Sequence, residues 1–147
     1  MTISGDDVER IVDAVETIEA SLSVLAETQS VSRETYRTDR ETRDVVERRF
    51  VKLTEATLDI AKTVVTHERG VPPESNPAAM VALDDIEVLD RASKPEMVQA
   101  ARFRNVLAHT YGNAINHDDV YAALQDLNRY RDFLYDVRAY LEATGTL

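Results

Sequence analysis

The chain has 147 residues, 44% of them hydrophobic, and a formal net charge of −10 at pH 7; this length fits one domain, residues 1–147, with a core that needs no staples. It has no cysteine and only three histidines, which excludes disulfides, thiolate nucleophiles and cysteine-type zinc sites, so neither a metal nor a cofactor is expected. The opening MTISGDDVERIVDAVETI is acidic where a signal peptide is basic, and no run approaches the ~20 apolar residues that span a bilayer, so a cytoplasmic chain without membrane or DNA partners is expected.

The charge has a pattern. Of the 17 basic residues only Lys52, Lys62 and Lys94 are lysines, and Asp and Glu fill most polar positions. This acidic, lysine-poor composition resembles that of proteins from salt-loving organisms, where bulk charge serves solubility in brine and says little about a local site.

The dominant period is helical and no alternating strand pattern persists, which predicts an all-α fold. Ser4 caps the first helix with Asp7 three residues on, stapled by Ile3 and Val8, and its core stripe is Val8, Ile11 or Val12, Val15, Ile18, Leu22 and Leu25. Residues 27–44 are polar apart from Val31 and Tyr36, and read as a solvated connection or as the protruding start of a second helix capped by Thr38 with Glu41. That helix is the longest, running through Val46, Phe50, Leu53, Ile60 and Val64 to a glycine cap at Gly70. After the loop VPPESNPAA a third, shorter helix starts at Asn76-Pro77 and runs through Met80, Val81, Leu83, Ile86 and Leu89. Ser93 and Glu96 form a capping box for the fourth, and Asn116 with Asp119 opens a last one reaching Leu141. Five helices with short links predict an antiparallel bundle.

The fourth helix carries the usable chemistry, Arg104-Asn105-Val106-Leu107-Ala108-His109-Thr110-Tyr111. Arginine grips phosphate oxygens with a charged fork, histidine moves protons near neutral pH, and tyrosine offers a modifiable hydroxyl. At about 100° per residue Ala100, Phe103, Val106 and Leu107 share the core face, Asn105 projects nearly opposite, and Arg104 and His109 stand about 140° apart. Either the helix unwinds near Ala108, ahead of Gly112, or a two-fold dimer sets the arginine of one chain beside the histidine of the other.

The spacing Arg104-Asn105-x-x-x-His109-x-Tyr111 resembles the R-x-x-x-x-H-x-Y signature of the HepT-like toxins of the HEPN superfamily, in which a polar residue after the arginine is usual. Glu47-Arg48-Arg49-Phe50 and Asp59-Ile60-Ala61 also look like the family's second helix, so the resemblance covers roughly residues 45 to 140. Residues 27–44 do not align, and Thr110 and Gly112 sit at loosely specified positions. The resemblance implies a four- to five-helix bundle that dimerises, or assembles further, into a cleft cutting RNA without metal. Arg104 and His109 would be catalytic and Asn105 supporting. An MntA-type nucleotidyltransferase antitoxin would transfer AMP to Tyr111.

Each residue has a plainer reading. An arginine on an acidic protein commonly sits in a salt bridge, His109 can simply face the last carbonyls of its helix, and Tyr111 can cap the core. Arg102 and Arg49 are candidate RNA contacts, though on a helix bearing Glu41, Glu47 and Glu55 the expected reading of Arg48 and Arg49 is i, i+4 pairing in solvent. His67 and His117 read as surface histidines. The rival to a ribonuclease is a non-catalytic helical module that serves mainly as the substrate of a nucleotidyltransferase.

Overall fold

The computed structural model describes residues 2–109 and 115–146. Two long helices, α1 (Gly5–Thr28) and α3 (Arg40–Arg69), run side by side as its spine. They are antiparallel: Thr28 shares a crevice with Thr42 and Val45, whereas Asp6 and Asp13 lie across from Lys52, Glu55 and Asp59. Ile11, Ile18 and Leu25 of α1 meet Phe50, Leu53 and Ile60 of α3 in a core where all six are under 2% exposed. Each such side chain contributes about 1.5–3 kcal/mol on burial. Thr54, Thr57 and Thr63 enter this face because their hydroxyls donate to the carbonyls four residues back, at 2.8, 2.8 and 2.7 Å.

α4 (Asn76–Asp85) and α5 (Lys94–His109) form an antiparallel pair on α3. Near one end the almost buried Asp84 takes Lys94 at 3.6 Å and Arg91 at 3.9 Å; at the other, Asn76 meets Asn105. α6 (His117–Leu124) and α7 (Asn128–Ala143) complete the fold, with Leu124, Tyr130, Phe133 and Val137 inward. No helix among the described residues is long and apolar enough to cross a membrane.

The all-α expectation holds, and Ser4, Gly70 and Asn116 cap where predicted. The count of four to five helices is too low: among the described residues there are seven α-helices and a 3-10 turn, Arg91–Ser93. The polar segment forms its own helix, α2 (Arg33–Thr38), and Asp39 rather than Thr38 caps α3. Tyr36 is fully buried, 5.8 Å from the Tyr121 ring and 6.5 Å from that of His117. His117 is thus half-buried rather than a surface residue.

α4 stops at Asp85, short of Ile86 and Leu89, because Val88 and Leu89 both donate to the Leu83 carbonyl around Glu87 at φ 62°. The last predicted helix is two: Gln125 and Asp126 tighten the end of α6, and Arg129 ties the start of α7 to α5 through Gln99 Oε1 at 2.8 Å. Asp90, not Ser93, caps the entry to α5, accepting from the Ala92 amide at 2.9 Å.

Candidate functional site

The buried stripe of α5 is Met97, Ala100, Ala101 and Leu107. Arg104 follows Ala100 and Ala101 at helical spacing, so a guanidinium occupies a place the periodicity reserves for an apolar side chain. Its side chain is only 25% exposed and reaches across to α3, where Nη2 donates to Glu55 Oε1 at 3.1 Å. The Arg104 Nε is buried with no acceptor among the described residues. Phe103 fixes the rotation of α5 on α3, its ring edge-on to Phe50 at 5.3 Å.

Asn105, expected nearly opposite the core face, does not stand free there. It is half-buried, and its Oδ1 accepts from Asn76 Nδ2 at 2.8 Å. Val106, expected in the core, is 51% exposed. With Arg102 and His109 it lies at i, i+4 and i+7, so these three exposed residues line one face of α5. Beside them α5 and α6–α7 leave a groove of ≈ 450 Å³, walled by Phe103, Val106, Ala122, Ala123 and Tyr130, with Arg102 on its margin.

α5 stays helical through His109, which removes the unwinding before His109 that could have swung it toward Arg104. The two therefore remain about 140° apart around one helix, and one chain does not bring them together. Tyr111 falls within 110–114 and lies outside the described residues. Arg49 is half-buried and Arg48 exposed on α3; neither is ion-paired among the described residues, contrary to the expected glutamate pairing, and the same is true of Arg102.

The opposite side of Glu55 faces a groove of ≈ 490 Å³ between α1 and α3, where Asp6, Glu9, Asp13 and Asp59 outnumber Arg10 and Lys52. A polyanion is repelled there, so a phosphate approaches Arg104 more readily from the α5 side. Glu55 and Asn76 are the two site residues that sequence reasoning missed. They lie 49 and 29 positions from their partners, and nothing in the local pattern distinguishes Glu55 from other surface acids.

The sequence matches the family model described as HepT-like, ribonuclease HepT-like, over residues 10–137. No curated protein sequence matches the chain. Among solved structures, a toxin–antitoxin complex with AMP-PNP contains a chain with TM-score 0.80 and 18% identity, covering 89% of this chain and 98% of that one. The tri-AMPylated HEPN toxin of Shewanella oneidensis in complex with MNT antitoxin has TM-score 0.78 and 19% identity, over 88% and 97% of the two chains. The cytosolic protein of unknown function YutE from Bacillus subtilis has TM-score 0.83 and 18% identity, over 100% and 97%. At these identities the likeness is one of fold, the HEPN-like helical fold, whereas the family model spans most of the chain: this protein belongs to the HepT-like ribonuclease family.

Proposed function

We propose that the end of α5 is a metal-independent endoribonuclease centre completed across a two-fold dimer, and that the protein is the toxin of a toxin–antitoxin pair. One observation carries the dimer: α5 is helical through His109, so Arg104 and His109 of one chain face different ways. A second copy packed across the end of α5 on its Asn105 and Ala108 side, which lies between Arg104 and His109 around the helix, brings the two kinds of residue into one cleft.

In that cleft a ribose 2′-OH attacks the adjacent phosphorus, the new 2′-O–P bond forms and the P–O5′ bond breaks. One His109 takes the 2′-hydroxyl proton, and the His109 of the other copy returns a proton to the departing 5′ oxygen. Arg104 stabilises the charge that builds on the phosphorane oxygens, and Asn105 supports it with a neutral donor. Arg102, exposed and without a carboxylate partner among the described residues, and Arg49 extend the phosphate path. In a chain of net charge −10 such local cations must supply the affinity. The tri-AMPylated toxin with MNT antitoxin among the fold's relatives supports Tyr111 as the AMP acceptor here and an MntA-type nucleotidyltransferase as the partner. Phosphates added at Tyr111 would occupy the cleft with negative charge and exclude RNA.

The test is cleavage of RNA by the purified protein with chelator present, following cyclic-phosphate ends. His109→Ala is expected to lose about a hundredfold or more of the rate, the worth of a proton-transfer group. Wild-type and His109→Ala chains mixed in equal amounts are expected to keep about a quarter of wild-type activity, because only the quarter of the dimers that holds both His109 side chains has the full proton-transfer pair; about a half would mean that each site needs a single histidine. If the folded wild type leaves RNA intact, the ribonuclease reading fails. Modification at Tyr111 by a nucleotidyltransferase is then the reading left.

A further inference from the structure

Two adjacent side chains of α5 are each tied to a different helix through one end only. Asn76 donates from Nδ2 to Asn105 Oδ1 at 2.8 Å, in a half-buried setting. A carboxamide has one acceptor oxygen and two N–H donors, so this bond uses the acceptor and leaves the donors of Asn105 for another ligand. Arg104 has the same polarity. Glu55 takes Nη2, while Nε is buried without an acceptor among the described residues. Unspent donors on neighbouring residues suit an anion.

Asn76 is well placed to impose this orientation. It is the first residue of α4, whose start is fixed by the Ser75 side chain accepting from the Ala78 amide at 3.1 Å and by Pro77 immediately after. The side chain therefore comes from a rigid helix terminus rather than from the loop before it. We infer that Asn76 is a positioning residue: by holding Asn105 Oδ1 it turns the Asn105 amide nitrogen toward the RNA phosphate, although Asn76 itself touches no substrate. This rests on the ribonuclease reading of the α5 end.

The experiment measures steady-state cleavage of a short fluorescent oligoribonucleotide by the full-length wild type, Asn76→Ala, Asn76→Asp, Asn105→Ala and the Asn76→Ala/Asn105→Ala double variant. Asn76→Ala is expected to lower kcat about tenfold with KM little changed, the worth of one ordinary hydrogen bond expressed at the transition state. Asn76→Asp, the same shape without the donor, turns the Asn105 amide inward and falls at least as far. In the Asn105→Ala background, Asn76→Ala costs nothing more. Wild-type rates in Asn76→Ala, or losses that multiply in the double variant, overturn the inference.

A second readout separates it from the ribonuclease reading. A 2′-O-methylated oligonucleotide lacks the attacking hydroxyl, and it should shift the Asn105 side-chain amide resonances of the wild type but not of Asn76→Asp. Uncut RNA with that difference intact sinks the ribonuclease reading and keeps the positioning role. No such difference sinks the positioning role.

Discussion

At the scale of single residues, the chemistry proposed for this site rests on an arginine on a buried stripe. Arg104 is three-quarters covered, and Glu55, half-exposed at 3.1 Å, is its anchor. An ion pair of this exposure contributes about 0–1 kcal/mol to stability, so its value lies in holding the guanidinium still. Glu55→Ala is expected to cut RNA cleavage about tenfold through loss of orientation while leaving the melting temperature within about 2 °C. Glu55→Gln, which keeps an acceptor at the same place, should restore most of the rate. A fall of many degrees in either variant would instead make Glu55 a stability residue.

Arg104, Asn105, His109 and Tyr111 stand out in the sequence as candidates because they belong to one run with a fixed spacing. Their supports were not, since Glu55 and Asn76 arrive from other helices. Val106 was misassigned for a related reason: the small Ala100 and Ala101 define the buried side of α5, and a period that weights large side chains turns the helix toward Val106.

At the scale of elements, α2 is where composition misleads most. Its sequence RETYRT is charged, yet it is clamped onto α6. Arg37 makes two hydrogen bonds to Asp118, both at 2.8 Å, Arg33 lies over the Tyr121 ring at 5.0 Å, and the Tyr121 hydroxyl donates to the Val31 carbonyl at 2.8 Å. A single large apolar residue, Tyr36, sits beneath them. Burial and the nearby Glu47 push its phenol above the ordinary range, so it stays neutral at physiological pH. Hydrogen bonds from Arg37, with its charge and that of Arg33, hold the Asp118 carboxyl below its usual value. For a depressed acid the contribution to stability is present above the unfolded value and is lost as pH falls through the folded one. The clamp is therefore complete at neutral pH and released in acid, below the ordinary carboxylate range. Asp118→Asn should speed hydrogen–deuterium exchange in residues 33–38 at neutral pH with α1 and α3 unchanged. Wild type should approach the variant as pH falls below the ordinary carboxylate range. Equal exchange in both proteins at neutral pH would leave the clamp without energetic weight.

Other element boundaries were hidden because no glycine or proline marks them. Glu87 takes a left-handed conformation that usually goes to glycine. The break between α6 and α7 interrupts an apolar repeat, Val120, Leu124, Leu127, Tyr130, that runs on as though one helix continued. The long, strongly periodic elements α1 and α3 were readable along their core stripes, because their helical period repeats over several turns, whereas α5 was readable as a helix but not in which face it buries.

At the scale of the whole molecule, one charge distribution serves two opposed demands. A net charge of −10 acts against the compact state through self-repulsion, concentrated where Asp6, Glu9, Asp13, Glu55 and Asp59 line one groove. Salt relieves this: screening lengths fall from about 10 Å at 0.1 M to about 3 Å at 1 M. Raising KCl over that range should therefore lift the melting temperature by several degrees, each ~1 kcal/mol giving about 2–4 °C for a chain of this size. The same salt weakens phosphate contacts, since the RNA binding proposed for Arg104, Arg102 and Arg49 gains from counterion release. Stability and RNA affinity should then move in opposite directions along one salt titration, with KM rising as the melting temperature rises. A melting temperature that is flat or falls with KCl would mean that paired arginines, such as Arg33 and Arg37 at Asp118 and Arg129 at Asp126, already neutralise the surface where it matters. A KM indifferent to salt would mean that RNA is held by contacts other than these arginines.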